Sequence, residues 1–396
     1  MSTATDQDIA AYEPKPLVDD DIGIMRRFLR GRKWYGSEWY ITVAGGLILI
    51  VVTAVTILAP LLAPHDPNEF VGAPFTPPLG GPQVLLVRSG ESPIGSGDDL
   101  TDQTIGVLRN SNSISVAKEM ELERQRYMTQ DDLLDGLRNG EVDLIFVDRT
   151  EAKEITEANL EFEQLEGSYG QTYALGTDNL GRDITSRLIW GARTVLSVAI
   201  SSALLSSMIG IPLGLLSGFV GGKLDRSLSL VMDSIYSFPG LLLAVALAAM
   251  LGPSLLNVAI AISVVYVPTF YRVVRGQVLS VKQDLYVEAA RSLGARRSSI
   301  LRRYVFPNVI PSVVVVFSLN IADAILTAAG LTFIGLGLPP DVPDWGYDLS
   351  KGHQFLVSGS WWMITWPGLL IALVAAGFSL LGEGLSEILN PRLAKG

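Results

Sequence analysis

Six stretches of this chain are apolar enough, and long enough, to cross a lipid bilayer as helices. They run over about 39–60, 193–217, 229–251, 255–275, 308–335 and 362–382. A spanning helix needs about 20 residues, and hydrocarbon offers no partner for a bare backbone N–H or C=O. These runs predict an all-α polytopic membrane protein with six transmembrane helices. The fifth run exceeds the hydrocarbon thickness and is expected to tilt, kink or end in an external turn. The first 20 residues are acidic and polar, and the first apolar run is too long for a signal core. It reads as an uncleaved anchor.

Charge orients the spans. Arg26, Arg27, Arg30, Arg32 and Lys33 precede the first, and Lys223 and Arg226 separate the second from the third. Arg272, Arg275, Lys282, Arg291, Arg296, Arg297, Arg302 and Arg303 lie between the fourth and fifth, and Arg392 and Lys395 follow the sixth. With six spans all four clusters fall on one side, which the positive-inside rule makes cytosolic. Both termini are then cytosolic and 61–190 external. Segment 61–175 holds 21 acidic and 8 basic residues, so the net charge of −10 is concentrated there. Beside membrane spans the basic clusters read as topology signals, and no nucleic-acid partner is expected.

The chain divides into a cytosolic tail (1–37), a first span (38–60), an external region (61–175) and a five-span core (176–396) with a cytosolic loop at 276–306. Residues 1–20 read as disordered, and 21–37 as a basic amphipathic lead-in along the inner leaflet. After a proline-rich linker, about 80–170 reads as a small inserted α/β domain. Gln83–Val87, Thr104–Leu108 and Val142–Val147 are expected strands, and Ser113–Arg126, 130–138 and Glu151–Ala158 expected helices. That βαβαβ rhythm predicts a small parallel sheet. Gln103–Val107 and Gly136–Asp143 resemble part of one lobe of a periplasmic solute-binding protein.

The loop between spans four and five carries Glu288-Ala289-Ala290-Arg291, then Gly294, then Tyr304-Val305-Phe306-Pro307. Small Ala289 and Ala290 admit a close neighbour, and Glu288 can pair with Arg291 one turn on. Gly294 permits a turn that a side chain would obstruct. Pro307 marks the start of the next span. This spacing resembles the EAA loop of ABC importer permeases, specifically the second permease of the dipeptide/oligopeptide/nickel group. The resemblance covers nearly everything except 1–20 and about 80–170. It implies the type I permease fold, and a coupling helix seated in a cleft of an ATPase subunit.

Three further blocks carry the resemblance. Gly176-Thr177-Asp178-Asn179-Leu180-Gly181-Arg182-Asp183 resembles the group's lead into span two; its charges suit helix capping and mutual pairing, with substrate contact the alternative. In Asp233-Ser234-Ile235-Tyr236-Ser237-Phe238-Pro239, Pro239 should kink or interrupt span three, and Asp233 and Ser237 have a structural or a pathway-lining reading. The last two spans contribute Phe333–Gly337, Pro343–Gly346, Leu381–Leu385 and Pro391-Arg392-Leu393. Two positions depart from the group: Ala328 stands where many relatives carry glutamate, and Glu383 where they carry aspartate. Asp323, about a turn from Ala328, is the substitute acid. Asn320, Asp323 and Thr327 at i, i+3 and i+7 mark one face of span five, serving either a translocation pathway or a helix–helix hydrogen bond.

The resemblance implies a second homologous permease, two P-loop ATPases, an extracytoplasmic solute-binding protein and a plasma-membrane setting. Peptides are the expected substrate, nickel or another small solute the alternative. This chain has no Walker pattern, so ATP and magnesium belong to the partners and no cofactor or catalytic residue is expected here. Cysteine is absent and the histidines are His65 and His353, so no metal site is expected. An ion-gradient transporter would need buried titratable groups and inverted repeats, where Asp323 alone qualifies. A membrane-anchored sensor would need a cytosolic output domain, and the sequence offers none.

Overall fold

The computed structural model describes residues 37–389 apart from 73, 80–82, 91–99, 101–102, 110, 159–160 and 166–168. The basic lead-in and the Pro391-Arg392-Leu393 block fall outside the described residues. In chain order come α1 (Ser37–Ile57), α2 (Ala59–Leu62), β1 (Gln83–Arg88), β2 (Ile105–Leu108), α3 (Asn112–Glu119), β3 (Arg124–Tyr127) and α4 (Gln130–Asn139). Then follow β4 (Leu144–Asp148), α5 (Arg149–Ala158), β5 (Phe162–Gln164), α6 (Ile184–Val220), α7 (Gly222–Tyr236), α8 (Gly240–Leu251) and α9 (Leu255–Val281). The remainder is α10 (Leu285–Ser292), α11 (Arg297–Ile300), a π-helical turn (Leu301–Val305), α12 (Phe306–Phe333), α13 (Trp345–Gln354) and α14 (Trp362–Leu389).

Among the described residues five helices are long and apolar enough to cross a membrane, and six if α7 and α8 count as one span bent by 87°. The bend falls at Ser237–Pro239, where Pro239 caps α8 and donates no hydrogen bond to the preceding turn. α6 starts at Ile184, earlier than the expected 193. Hydropathy hid its first turns because they carry Arg187 and Arg193. Arg187 is paired in the interior, and Arg193 lies over the Trp190 ring at 5.1 Å. α12 ends at Phe333 and is closed by Gly335, whose positive φ of 89° lets Gly335 and Leu336 donate to Thr332 and Leu331.

The described residues form two compact units, one within 37–53, 197–328 and 372–389, the other within 54–196 and 329–371. In the first, α6 lies directly on α9. A Cβ on Gly210 would meet the Val267 carbonyl oxygen at 2.8 Å, on Gly214 the Tyr271 carbonyl oxygen at 2.8 Å, and on Gly218 the Val278 Cβ at 2.8 Å. Glycine every fourth residue thus lets the two backbones touch, which is how helices without a water-driven force between them gain contact. In the same unit a Cβ on Gly45 of α1 would sit 2.7 Å from the Gly377 carbonyl oxygen of α14.

The second unit holds a five-stranded sheet of order β3-β2-β4-β1-β5. It is mixed, against the expected parallel sheet: β2 pairs parallel with β3 and β4, whereas β1 runs antiparallel to β4 and β5. The helix expected over Ser113–Arg126 stops at Glu119, because Glu121 adopts φ 55°, and Arg124–Tyr127 becomes β3. Period-two burial divides the core. Val84, Leu86, Ile145 and Val147 face α4 and α5, while Leu85, Val87, Leu144 and Phe146 face α3. Both faces are covered, so the strands read as unbroken apolar runs. Thr129 caps α4 by accepting from the Asp132 N–H, and Gly140 ends it at φ 77°.

The glycine contact on α6 is testable by paired substitutions. Gly214→Val should overpack the α6–α9 contact and cost about 1–3 kcal/mol. Gly276→Ala on α9, with open space around it, should be neutral or slightly stabilising from helix propensity. Thermal unfolding in detergent separates the two.

Candidate functional site

α10 is an eight-residue helix whose two faces have opposite fates. Val287 and Ala290 point inward with exposures of 0% and 7%. They join a core with Val274, Val278 and Val281 of α9, Ile300 of α11, Val305 of the π turn and Val309 of α12, against Ile211, Leu215 and Phe219 of α6. Leu285, Ala289 and Leu293 point outward at i, i+4 and i+8, and the two leucines are 83% and 88% exposed. Tyr286 widens this apolar face, and Glu288 and Arg291 flank it. Of the two alanines expected to admit a neighbour, only Ala289 is outward; Ala290 is spent on the core. The pairing expected between Glu288 and Arg291 is not formed among the described residues, and both side chains are exposed. An exposed pair gains too little to hold two long side chains in place.

Gly294 ends α10 in a Schellman turn. At φ 79° it donates to the Arg291 carbonyl at 3.0 Å while Ala295 donates to Ala290 at 3.0 Å. Ala295 packs against the same core as Ala290, the apolar contact that accompanies this motif. Pro307 does not begin a separate helix: an apolar helical path runs unbroken over Arg297–Phe333. The π turn just before it, with Phe306 N–H donating to Leu301, absorbs the donor that proline lacks.

Beside this core in the same unit lies a polar network that the sequence did not reveal. Arg275 of α9 grips Asp225 of α7 with both ends of its guanidinium, Nε to Oδ1 at 2.5 Å and an Nη to Oδ2 at 2.8 Å. Ser217 of α6 donates to Asp225, and the Tyr271 hydroxyl joins Ser217 Oγ at 2.6 Å and Ser229 Oγ at 2.9 Å. Arg272 reaches Asp233 at 2.7 Å and lies 3.8 Å from the Tyr236 ring centroid. Asp225, Ser229, Asp233, Ser234, Ser237 and Arg275 line a groove of about 660 Å³. Two of the sequence candidates, Asp233 and Ser237, therefore share one groove. Arg272 and Arg275 read in sequence as topology signals; nothing local distinguishes a cation that finds an acid about 50 residues back.

Asn320, Asp323 and Thr327 do not share one environment. Asn320 is buried with Oδ1 unpartnered, Asp323 is exposed beside Leu319 and Leu326, and Thr327 hydrogen-bonds the Tyr266 hydroxyl at 2.8 Å.

In the other unit the Gly176–Asp183 block is a buried scaffold. Asp178 accepts from the Leu180 and Arg182 backbone N–H groups and pairs with Arg182 Nε at 2.6 Å. Asp183 caps α6, accepting from Ser186 N–H at 2.8 Å and its hydroxyl at 2.7 Å. Gly176 and Gly181 hold positive φ, and a Cβ on Gly176 would lie 2.5 Å from the Thr76 carbonyl oxygen. The Trp362 indole donates to the carbonyl of Thr177 at 3.1 Å. Next to this block Arg187, 1% exposed at its side chain, pairs with Asp348 at 2.7 Å and donates to the Pro67 carbonyl at 3.1 Å. Asp344 caps α13; burial pushes its carboxyl above the ordinary range while hydrogen bonds from Thr332 and the Tyr347 and Gly346 amides oppose this. The backbone of His65 donates to Ser186 Oγ at 3.0 Å, and the His353 ring meets Phe333. No group of three His, Asp or Glu among the described residues is arranged to hold a metal.

Arg187 and Asp348 are a buried pair, so removing one partner should cost more than removing both. Arg187→Met should destabilise by about 3–5 kcal/mol, and Arg187→Met/Asp348→Leu should recover much of that loss. A double-mutant cycle in thermal unfolding reads the difference.

Residues 210–395, which hold α10 and the groove, match the family described as binding-protein-dependent transport system inner membrane component. The glutathione transport system permease protein of Pectobacterium atrosepticum is 41% identical over 233 residues, covering 59% of this chain and 77% of that protein. The dipeptide transport system permease protein of Alkalihalophilus pseudofirmus is 39% identical over 218 residues, covering 55% and 71%. Among solved structures, a chain of the inward-facing MetNI methionine ABC transporter overlaps 52% of this chain and 96% of its own length, with TM-score 0.44 and 19% identity. The arginine-, lysine-, histidine-binding protein ArtJ of Geobacillus stearothermophilus overlaps 24% of this chain and 46% of its own, with TM-score 0.22 and 25% identity. With its long apolar helices and relatives matched over most of their length, this multi-pass membrane protein belongs to the binding-protein-dependent transport system inner membrane component family.

Proposed function

We propose that this chain is one of two permease subunits of an ATP-binding-cassette importer of peptides, and that α10 is its coupling helix. The observation that carries the proposal is the two-sidedness of α10: a rigid inner face built into the ends of α6, α9 and α12, and an outer apolar face left exposed among the described residues. Two exposed leucines about two turns apart, with the small Ala289 between them, fit a cleft on another protein. The relatives named for glutathione and dipeptide transport favour peptides over nickel.

The partners are a second homologous permease, two P-loop ATPases that bind ATP and magnesium, and an extracytoplasmic solute-binding protein. α1, α6, the bent α7–α8 pair, α9, α12 and α14 serve as six spans in the plasma membrane. The described loop cations from Lys223 to Arg303 lie on the cytosolic side with both termini, and the sheet domain at about 80–170 lies outside. Closure of the ATPases displaces α10. Val287 and Ala290 share a core with three spans, so the displacement moves those spans together and biases an equilibrium between outward- and inward-open states. Asp233 and Ser237, in the groove, and Asn320, Asp323 and Thr327, on α12, are the pathway candidates of this chain.

Ala289→Arg or Leu293→Asp should cut ATPase recovery with a tagged chain about tenfold or more, the scale of about 1.4 kcal/mol of lost contact, with the thermal midpoint unchanged. Glu288→Lys and Gly294→Val should leave the chain inserted but lose coupling between ATP hydrolysis and transport. Normal ATPase recovery in the first pair, or normal transport in the second, would remove the coupling assignment.

A further inference from the structure

α7 is fastened differently from every helix around it. Among its residues only Met232 is buried, against Val267 and Tyr271 of α9. At its start Gly221 and Gly222 hold successive positive φ values of 69° and 65°. A Cβ on either would meet nothing within 4 Å, so these glycines serve backbone conformation and not packing. At its end comes the 87° break before α8. A helix with a glycine turn at one end, a sharp break at the other and little apolar burial in its own chain depends on other contacts for its position.

Apart from the small apolar contact of Met232 and Leu228 with Val267, Tyr271 and Leu213, what holds α7 is polar, and most of it comes from α9. Arg275 takes Asp225 at two oxygens, Tyr271 takes Ser229, and Arg272 takes Asp233 while covering Tyr236. One turn beyond Arg275, Val278 and Val281 of α9 enter the core that seats Val287 and Ala290 of α10. A single helix therefore carries both the grip on α7 and the seat of the coupling helix.

We infer that α7 is an articulated arm held to α9 by two aspartate–arginine latches, Asp225–Arg275 and Asp233–Arg272, so that α9 carries the arm, and the groove it lines, when α10 moves. The four charged residues are positioning residues. The inference rests on the coupling role proposed for α10. The two latches are unequal: Asp225–Arg275 is two-pronged and partly sheltered, whereas Asp233–Arg272 is largely exposed and worth less. Neither is large enough to decide whether the chain folds, which suits a connection that fixes position.

The chain has no cysteine, so Ser227→Cys on α7 and Ser280→Cys on α9 supply its only label sites, and the partner subunits are used with their cysteines replaced. Double electron–electron resonance is recorded on the complex as purified, nucleotide-free and trapped with ATP, magnesium and vanadate. The intact latches should give one narrow distance, the same in both states. Asp225→Asn/Asp233→Asn should broaden it by several ångströms, with the larger share from Asp225→Asn alone, and Asp225→Glu/Asp233→Glu should restore it. A distribution that stays narrow in Asp225→Asn/Asp233→Asn, or an intact pair whose distance shifts on nucleotide trapping, would overturn the inference. The nucleotide-free spectra report on the latches without any ATPase. Failure of the importer reading would show separately, as no ATPase in the purified complex.

Discussion

The apolar core shared by Val274, Val278, Val281, Val287, Ala290, Ile300, Val305 and Val309 is the contact on which the rest of the first unit depends. It is the place where α10, a helix too short to be stable alone, gains its stability from tertiary packing. Because α6, α9 and α12 contribute to the same cluster, α10 cannot shift without disturbing several long helices. Close packing makes such a core transmit displacement instead of absorbing it. The outer face of α10 is then free to be specialised for another surface.

Around that core, backbone exceptions are placed where rigid elements must join or turn. Gly294 closes α10, the π turn carries the chain past Pro307, and Pro239 breaks the α7–α8 pair. Glycine at 210, 214 and 218 serves the reverse purpose, bringing α6 and α9 into backbone contact. The buried ion pairs of the second unit, Asp178–Arg182 and Arg187–Asp348, fix the lead into α6 by geometry more than by energy, since paired charges in an interior roughly offset their own desolvation.

What was legible in the sequence was local or periodic. The apolar runs located the long helices, Pro239 located the break, and the strands expected at Gln83–Val87 and Val142–Val147 form as Gln83–Arg88 and Leu144–Asp148. Boundaries failed where charge entered a helix: Arg187 delayed the expected start of α6 because a hydropathy window cannot know that Asp348 waits 161 positions away. β3 failed because Arg124-Gln125-Arg126 carries no apolar signal and becomes a strand only through its pairing with β2. β1 joined the sheet antiparallel because strand direction is a property of the fold and not of the run. In the candidate site, the segment singled out by its EAA-like spacing folds as α10, and Asp233 and Ser237, singled out by motif, line one groove. The Asp225–Arg275 grip was invisible, since each member sits among other loop charges and only the three-dimensional structure selects its partner.

The central claim is that the outer face of α10 docks on an ATPase. It is tested most directly by placing a cysteine at each position from 285 to 293 in turn, attaching a benzophenone maleimide, and irradiating native membranes. Adducts identified by mass spectrometry should join Leu285, Ala289 and Leu293 to a P-loop ATPase, with little from Val287 and Ala290, a periodicity set by the helix itself. Absence of any ATPase adduct from the outward positions, or equal labelling from inward and outward ones, would contradict the account.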